Sequence, residues 1–452
     1  MATTYLTRTP GGAGNRKTFT FSAWVKRGNM GATTPLFVAG SSSSIADTLF
    51  FDSADVLQIE GYNSGIDYKF ATNRVFRDPA AWYHIVLKID TTQSTDTDRM
   101  KLYVNGVDEL STGGYSSITY PAEDYEGSIN NTVTQTVGSS ALATRFGTTY
   151  FSGVMAHVHL TDGTAYAPTA FGETDSTSGN WVPISAPSLT YGDNGLFLKF
   201  SKGAFGTDSS GNSNTMTVSG TMTATKDNAM NNFATMNSQD NYRPGVTFSN
   251  GNTTIVTPAS SLYSPTTSTI GVTSGKWYWE VKPTTMVTYN EQLVGIASSV
   301  QISNTAQLGY YPNDWGYYAN NGNSYNNNVS TSYGDAYVVN DIIGVALDLT
   351  NNKLYFAKNN TWQNSGVPTS GATGTGALSI TAVGSTPLGV YLPAATYWHS
   401  SSNTYSVNFG NGYFGTTAVT SAEADGNGEG SFEYAPPTGY FALCTNNLGS
   451  DS

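Results

Sequence analysis

Hydrophobic and polar residues alternate with a period of two along much of this chain, which is typical of β-strands with one buried face. The clearest case spans residues 18–25. Alternation places four of its residues on one face: Phe19, Phe21, Ala23 and Val25. No stretch keeps the i, i+3, i+4 apolar spacing of a helix over three turns. The pattern therefore predicts a chain built from strands, with very little helix.

Further strands are predicted from the same alternation and from short apolar runs. They span residues 82–89, 101–104, 151–160, 276–281, 293–297, 341–349, 353–357, 388–392 and 405–409. The run at 341–349 is almost continuously apolar, which indicates a central strand buried on both faces. Asn105-Gly106 supplies the two positive-φ residues of a tight hairpin turn, and Asn351-Asn352 marks a second turn.

The composition narrows the class of protein further. Charged residues make up 12% of the 452 residues, yet no apolar run approaches the ~18 residues that a membrane-spanning helix needs. Aromatic residues make up 13%, including 29 tyrosines, and a disordered polar chain lacks that many core anchors. Because aromatic residues, Thr and Val fit pleated strands while Gly and Asn supply turns, the composition favours an all-β fold.

The net charge of −12 argues against two classes of partner. A protein that follows nucleic-acid phosphates or adheres to anionic lipid needs a basic face, so we expect no nucleic-acid partner and no membrane insertion. Cys444 is the single cysteine, which permits no internal disulfide and no cysteine-based zinc motif. The first residues lack the apolar core of a secretory signal, so we expect synthesis in a cytoplasm.

An ordered set of aromatic, small and turn residues occupies the N-terminal part of the chain, at about 5–200. The set comprises Phe21, Trp24, Trp82, Tyr83, His84, Tyr103, Asn105, Gly106, Phe151, Gly153, Ala156 and Val158. Together these positions resemble the concanavalin A-like jelly roll of the laminin-G type. The resemblance implies an interaction module built as an antiparallel β-sandwich.

Six blocks in the C-terminal part, at about 228–445, occur in the order typical of another family. They are residues 275–280, 294–297, 316–318, 341–360, 387–391 and 407–410. This part of the chain resembles a SPRY (B30.2-type) sandwich. That family usually has Lys-Asn-Gly in its later hairpin, and this chain has Lys358-Asn359-Asn360. Asn tolerates positive φ, so we expect the turn to survive.

The two resemblances together imply the fold class and the domain plan. We expect an all-β protein with two antiparallel β-sandwich domains of jelly-roll type in series. Residues 1–205 form the laminin-G-like domain and residues 251–452 form the SPRY-like domain. Residues 206–250, which are rich in Asn, Ser, Thr and Gly, form a connection with some short strands.

Three further stretches suggest a biological setting. The opening Y-L-T-R-T-P, the block F-R-D-P-x-A-W-Y-H and the closing P-P-T-G-Y-F-A-L-C-T-N-N-L resemble virion proteins of tailed phages, especially those of marine cyanobacteria. The resemblance implies a place on the virion surface, with other virion proteins as partners. We also expect a homo-oligomer, with a trimer as one option, made through contacts between sandwiches because no coiled coil or repeat is present.

The sequence does not favour catalysis. Glucanases with a jelly-roll fold carry their paired carboxylates on one strand as E-x-D-x-x-E, and no such run is present. Glu280 and Glu291 are isolated, and Asp341 and Asp348 flank a buried strand. We therefore expect no catalytic residues, no enzyme activity and no cofactor.

Two arrangements raise the question of a metal. His157 and His159 lie two apart on one strand and so share a face, but no third ligand is evident, and we interpret them as the outward polar face of a half-buried strand. Asp90, Asp96 and Asp98 surround a hairpin loop, and residues 425–429 alternate oxygen ligands. Neither loop completes a calcium pattern, so solvated turns are expected and no metal site is assigned.

Sugar recognition is the strongest binding hypothesis. It needs aromatic platforms for the apolar faces of sugar rings, with amides and carboxylates beside them for directional hydrogen bonds. Residues 309–328 are dense in such groups, and residues 397–399 form a second candidate. The candidate ligand-binding residues are Tyr310, Tyr311, Asn313, Asp314, Trp315, Asn320, Tyr325, Trp398 and His399. About half of these rings are expected to belong to the core, because residues 316–318 also match a SPRY core strand.

Three functions remain open from the sequence. The first is a surface adhesin that recognises host cell-surface glycans from a tail fibre, spike or capsid fibre. The second is a structural protein that decorates the capsid or tail and binds no glycan. The third, which the missing carboxylate pair disfavours, is an enzyme that degrades host polysaccharide.

Overall fold

The computed structural model describes residues 3–141, 146–185, 187–241, 243–286, 291–299, 305–398 and 400–449. The chain divides into two compact units. Unit 1 comprises residues 1–224 and 228–230, and unit 2 comprises residues 225–227 and 231–452. Strands account for 42% of the structure and helices for 6%. The predicted all-β class, with two antiparallel sandwiches in series, is confirmed.

Unit 1 contains two large sheets. Its strands are β1 (Tyr5–Arg8), β2 (Thr18–Arg27), β3 (Thr34–Ser42), β4 (Ile45–Phe51), β5 (Val56–Asn63), β6 (Ile66–Val75), β7 (Trp82–Asp90), β8 (Met100–Val104), β9 (Val107–Asp108), β10 (Tyr115–Thr119), β11 (Thr134–Val137), β12 (Gly153–Asp162), β13 (Gly172–Thr174), β14 (Trp181–Pro183), β15 (Leu196–Leu198) and β16 (Thr217–Ser219). Two one-turn helices, α1 (Asp96–Arg99) and α2 (Glu109–Thr112), flank β8 and β9, and a 3₁₀ turn spans Pro168–Ala170.

The two sheets of unit 1 enclose one core. Sheet A has the order β10-β6-β5-β4-β3-β11-β1-β16, and sheet B has the order β15-β12-β2-β7-β8-β9. The alternation predicted for β2 is confirmed, since all four predicted residues lie in this core: Phe19, Phe21, Ala23 and Val25. Asn105 (φ 52°) and Gly106 (φ 79°) form the predicted turn between β8 and β9.

The segment between the predicted sandwiches is divided between the two units. Strand β16 pairs with β1 at the edge of sheet A, and Met216 is buried in the core of unit 1. Phe233 and Met236 are buried in unit 2. These side chains remove enough apolar surface from water to fix the flanking backbone in spite of its polar composition.

Unit 2 is a second sandwich. Its strands are β17 (Thr247–Ser249), β18 (Thr254–Thr257), β19 (Thr266–Thr267), β20 (Lys276–Thr285), β21 (Gln292–Ala297), β22 (Trp315–Tyr318), β23 (Ser324–Asn326), β24 (Val329–Thr331), β25 (Ile343–Asp348), β26 (Lys353–Lys358), β27 (Thr361–Trp362), β28 (Leu378–Ser379), β29 (Leu392–Tyr397), β30 (Asn403–Asn408), β31 (Tyr413–Phe414), β32 (Thr417–Ala418) and β33 (Phe441–Ala442). A final helical turn, α3, spans Thr445–Leu448, and 3₁₀ turns span Gln363–Ser365, Pro368–Thr373 and Val383–Ser385.

Two sheets again face each other across the core of unit 2. Sheet C runs β17-β18-β30-β20-β25-β26-β27, with β28 beside β26 and β33 parallel to β20. Sheet D runs β19-β29-β21-β22-β23-β24. Every residue of β25 is buried, which confirms the prediction of a central strand covered on both faces.

One predicted strand, 388–392, is wrong. Leu388 is 37% exposed, and Gly389 has a φ of +67°, which interrupts an extended chain. The strand β29 begins only at Leu392 and continues to Tyr397. Its apolar signal was weak because small residues, Ala394 and Ala395, occupy its centre.

The outer faces of two sheets are covered by other parts of the same unit. In unit 1, residues 163–185, which we call the strap, cross the outer face of sheet B and place Phe171 and Trp181 against it. In unit 2, the C-terminal segment places Phe432 and Tyr440 in an apolar cluster with residues of sheet C.

Candidate functional site

The candidate stretch 309–328 forms strands β22 and β23 and the loop before them. Alternation along β22 sends Trp315 and Tyr317 into the core and leaves Tyr318 on the opposite face. Trp315 is only 5% exposed and packs 6.0 Å from the ring of Tyr391. Trp315 is therefore a core residue, in contrast to its prediction as a ligand contact.

Asp314 is also structural. Its side chain is fully buried, and its Oδ1 accepts a hydrogen bond from the backbone N–H of Ser298 at 3.0 Å. A carboxylate held in this way stabilises a backbone turn and does not face solvent. The phase of β22 decides the burial of Trp315, and the sequence of four consecutive aromatic and glycine residues, W-G-Y-Y, does not reveal that phase.

The loop before β22 is held against the β23–β24 hairpin. Asn327 and Asn328, with φ of 50° and 57°, form the turn of that hairpin. The N–H of Asn328 donates to the carbonyl oxygen of Gly309 at 2.9 Å, and the side-chain amide of Asn326 donates to the carbonyl oxygen of Pro312 at 2.8 Å. The loop is thereby fixed by backbone and amide contacts.

This loop presents two adjacent tyrosines. The rings of Tyr310 and Tyr311 lie 5.3 Å apart at 81°, and Tyr310 is 41% exposed. Asn313 is half-buried beside them. Gly309 is required at the base of the pair, since it has a φ of +85° and a Cβ there would lie 2.4 Å from the carbonyl oxygen of Tyr325.

A second aromatic group lies on the outer face of sheet D, and its Tyr325 lies against Gly309, the residue before the first pair. The rings of Tyr318 and Tyr325 lie 5.4 Å apart at 83°. The hydroxyl of Tyr318 donates to the carboxylate of Glu291, and the side chain of Asn320 also bonds to Tyr318. Burial and the bond to Glu291 raise the pKa of Tyr318, so its hydroxyl stays protonated.

Trp398 and Tyr263 complete this group. Their rings lie 6.3 Å apart at 40°, and the backbone N–H of Trp398 donates to the backbone carbonyl oxygen of Glu291 at 3.2 Å. Burial, together with the charge of Glu291, raises the pKa of Tyr263. His399 lies outside the described residues.

We call this region the tyrosine–amide surface. It comprises Tyr263, Glu291, Tyr310, Tyr311, Asn313, Tyr318, Asn320, Tyr325 and Trp398. The sequence prediction missed Tyr263 and Glu291, and it included Tyr318 in the candidate stretch 309–328 without choosing it as a ligand contact. Glu291 was treated as an isolated carboxylate. Its position directly before the first residue of β21 was the signal that could have linked it to Trp398.

The polar groups of the tyrosine–amide surface belong mainly to aromatic residues and to side-chain amides, and the surface carries little charge. Between residues 305 and 334 the sequence contains one charged residue, the buried Asp314. Tyrosine and tryptophan rings pack against apolar ligand faces, while amides and the Glu291 carboxylate make directional hydrogen bonds. The arrangement suits a neutral, hydroxyl-rich ligand.

Family models match both parts of the chain. The description "Concanavalin A-like lectin/glucanases superfamily" applies to residues 2–169, and "SPRY domain" applies to residues 276–387. The chain carries a concanavalin A-like domain and a SPRY domain. A comparison with curated proteins finds no match.

Solved structures similar to parts of this chain include two human SPRY domains. The SPRY domain of human HERC1 shares 16% identity, with a TM-score of 0.27, 36% of this chain covered and 91% of that chain covered. Another human SPRY domain shares 15% identity, with a TM-score of 0.27 and coverage of 36% and 93%. A "putative carbohydrate binding protein" from Bacteroides ovatus shares 15% identity, with a TM-score of 0.33 and coverage of 48% and 58%.

His157 and His159 were predicted to form the outward polar face of a half-buried strand; His157 is half-buried, and the prediction is wrong for His159. His159 is 1% exposed and stacks on Phe197 at 3.9 Å, because the strap covers this face of sheet B. His84 is fully buried, accepts a hydrogen bond from Trp181 Nε1 at Nδ1 (2.9 Å) and lies 2.8 Å from Ser22 Oγ at Nε2. Burial lowers the pKa of His84 to about 3, so the ring is neutral.

The acidic loops that raised the question of calcium hold backbone and side-chain amides. Asp425 accepts hydrogen bonds from the N–H groups of Asn427, Glu429 and Ala442 at 2.8–2.9 Å. Across the described ranges, no three His, Cys, Asp or Glu side chains lie together as metal ligands would. Within the same ranges, no helix has the length and apolar character that crossing a membrane requires.

Proposed function

We propose that this protein is a glycan-recognising adhesin on the surface of a phage particle, on a tail fibre, spike or capsid fibre. The tyrosine–amide surface of the SPRY domain makes the sugar contacts. The observation that carries the proposal is the grouping of three aromatic residues beside Glu291. Tyr318 donates its hydroxyl to the Glu291 carboxylate, the Tyr325 ring packs against Tyr318, and the backbone N–H of Trp398 donates to the Glu291 carbonyl oxygen. Host cell-surface glycans and other virion proteins are the proposed partners.

The chemistry of the surface supports a saccharide over other ligands. A sugar ring offers an apolar C–H face to an aromatic ring and hydroxyl groups to amides at its edge. Glu291 accepts one bond from Tyr318, and a carboxylate has capacity for further donors such as sugar hydroxyls. Affinity at one such site is modest, and a homo-oligomer on a particle raises it through effective concentration.

We propose binding without hydrolysis. A retaining glycosidase needs a second carboxylate about 5–5.5 Å from the first. Asp314, the carboxylate of the same stretch, is buried against Ser298 and is withheld from solvent. A bound glycan incubated with the protein should keep its chain length, and release of new reducing ends would contradict this part of the proposal.

The recognition proposal is tested with a glycan array probed by the full chain, followed by calorimetric titration of a glycan that binds. Tyr325→Ala and Trp398→Ala should each weaken binding by about tenfold, because each removes a ring face. Tyr62→Ala, at a half-buried tyrosine of unit 1, is the matched control and should leave the affinity unchanged.

Two results would contradict recognition by this surface: an array without binding by the folded full chain, or equal affinity in both variants and the control. The particle setting needs its own measurement. Gold-labelled antibody against the chain should decorate tails or capsids in electron micrographs. Unlabelled particles would contradict the setting even where a glycan binds.

A further inference from the structure

A cavity of about 140 Å³ opens at one edge of the sandwich in unit 1. It lies where β10, at the edge of sheet A, faces β8 and the helical turns α1 and α2 beside sheet B. Its lining residues are Phe70, Thr97, Met100, Lys101, Asp108, Leu110, Tyr115 and Tyr120. An engineered cavity of about 150 Å³ holds a benzene molecule, so this one accommodates a single small group.

Three aromatic rings shape the cavity. Phe70 is 1% exposed and forms part of the core of the sandwich. The ring of Tyr115 lies 4.5 Å from it at 40°, and the ring of Tyr120 lies 5.1 Å from it at 90°. Both tyrosines thus pack directly on Phe70, and all three residues line the cavity.

The charge around the cavity is negative. The Asp108 carboxylate accepts the N–H of Leu110 at 2.9 Å and caps α2, and within the described ranges it forms no ion pair. Asp96, on α1, likewise has no ion pair there. Lys101, the one cation in the lining, is held by Asp98 at 3.2 Å, which neutralises it.

Burial and these carboxylates together raise the pKa of the two tyrosine hydroxyls. Burial, together with the charges of Asp108 and Glu109, raises the pKa of Tyr115. Burial, together with Asp96 and Asp108, raises the pKa of Tyr120. Both phenols therefore remain neutral, so their rings keep the quadrupole that attracts a cation without adding a negative charge of their own.

We propose that this cavity binds a small organic cation that carries a methylated or alkylated ammonium group. The faces of Phe70, Tyr115 and Tyr120 contact the alkyl groups, and Asp108 supplies the compensating charge. A neutral guest of the same shape gains nothing from Asp108, and an anion is repelled by it. This site lies in the concanavalin A-like domain and stands independently of glycan recognition by the SPRY domain.

The test is calorimetric titration of the full chain with choline and with 3,3-dimethylbutan-1-ol, its neutral isostere. Choline should bind about tenfold more tightly than the isostere, as expected for a cation in a desolvated aromatic cage. Tyr120→Leu keeps apolar volume while removing a ring and should weaken choline about tenfold. Asp108→Asn keeps the helix cap and should weaken choline about threefold.

Each contrary result overturns the proposal. Equal affinity for choline and the isostere overturns the choice of a cation, and titrations without a saturable signal overturn the site. If both variants bind choline as tightly as the unaltered chain does, the proposal that choline binds in this cavity is overturned. Tyr62→Leu, a half-buried tyrosine on β5, is the matched control and should behave as the unaltered chain does. The comparison of choline with its isostere needs no variant, so it decides the question even where a variant fails to fold.

Discussion

Glu280 is a buried carboxylate of unit 2 that accepts several hydrogen bonds. It is fully buried on β20 and accepts the N–H groups of Glu433 and Tyr434 at 3.0 and 2.8 Å and the Asn408 amide at 3.1 Å. Burial raises its pKa to about 7 in spite of these donors. The residue therefore fastens the C-terminal segment to sheet C at the cost of desolvating a carboxyl group.

Two substitutions separate the contribution of the Glu280 hydrogen bonds from the effect of its protonation. Glu280→Ala leaves several buried donors without an acceptor and should destabilise the domain by about 3 kcal/mol. Because the folded pKa of about 7 lies above the ordinary value of 4.5, the native state binds the proton more tightly. Stability should therefore fall as the pH rises from about 4.5 through 7. Glu280→Gln, which cannot titrate, should lose this dependence.

Hydrogen exchange of peptides that span residues 425–445, corrected for the intrinsic rate at each pH, measures the effect. Glu423→Gln, at an exposed position of the same segment, is the matched control and should retain the pH dependence. A dependence that persists in Glu280→Gln would assign it to another group.

At the scale of elements, alternation predicted most of the strands but not what covers them. The core face of β2 was readable because apolar residues alternate along it, and the doubly buried β25 was readable because its apolar run is almost continuous. The sequence could not place Trp315 or His159, because their burial depends on strand phase and on a distant covering segment. The tyrosine–amide surface was predicted in part for the same reason, since Tyr263 reaches it from another part of the chain.

The strap over sheet B should be sensitive to acid. Burial lowers the pKa of His84 to about 3 and that of His159 well below 6.5, so both are neutral beneath it. The folded pKa lies below the unfolded one, so this stabilisation is present above pH 6.5 and is lost as the pH falls. At pH 5 each histidine that becomes exposed and protonated favours opening by about 2 kcal/mol.

Hydrogen exchange of peptides from the strap, corrected for the intrinsic rate at each pH, should therefore become faster as the pH falls from 7 to 5. His159→Phe keeps a ring against Phe197 and should reduce the acceleration. Asp47, which accepts the N–H groups of Ser128 and Ile129, provides an internal comparison of opposite sign. Burial raises its pKa to about 6, so an opening that exposes Asp47 should become less favourable, and exchange there slower, as the pH falls. If hydrogen exchange in the strap and in residues 127–129 changed in the same direction with pH, this result would contradict the assignment of the strap's acid sensitivity to histidine.

At the scale of the whole molecule, the low content of charged residues bears on which interactions stabilise the protein. Most ion pairs described are at least partly exposed and contribute little to stability, while the Arg27–Asp55 pair, at 1% and 4% exposure, is the clearest buried exception. Aromatic and aliphatic residues fill both cores. The stability of the sandwiches thus rests on burial and backbone ladders, which salt affects weakly.

Salt should therefore distinguish the two proposed ligands on one chain. Raising sodium chloride from about 0.15 to 1 M shortens the screening length from about 8 to 3 Å. Glycan affinity should change less than about twofold, because rings and amides make its contacts, whereas choline affinity should fall by about threefold as the Asp108 charge is screened. Calorimetric titrations at both salt concentrations measure this contrast. A steep loss of glycan affinity would mean that Glu291 recognises a charged group, and salt-insensitive choline binding would remove Asp108 from its site.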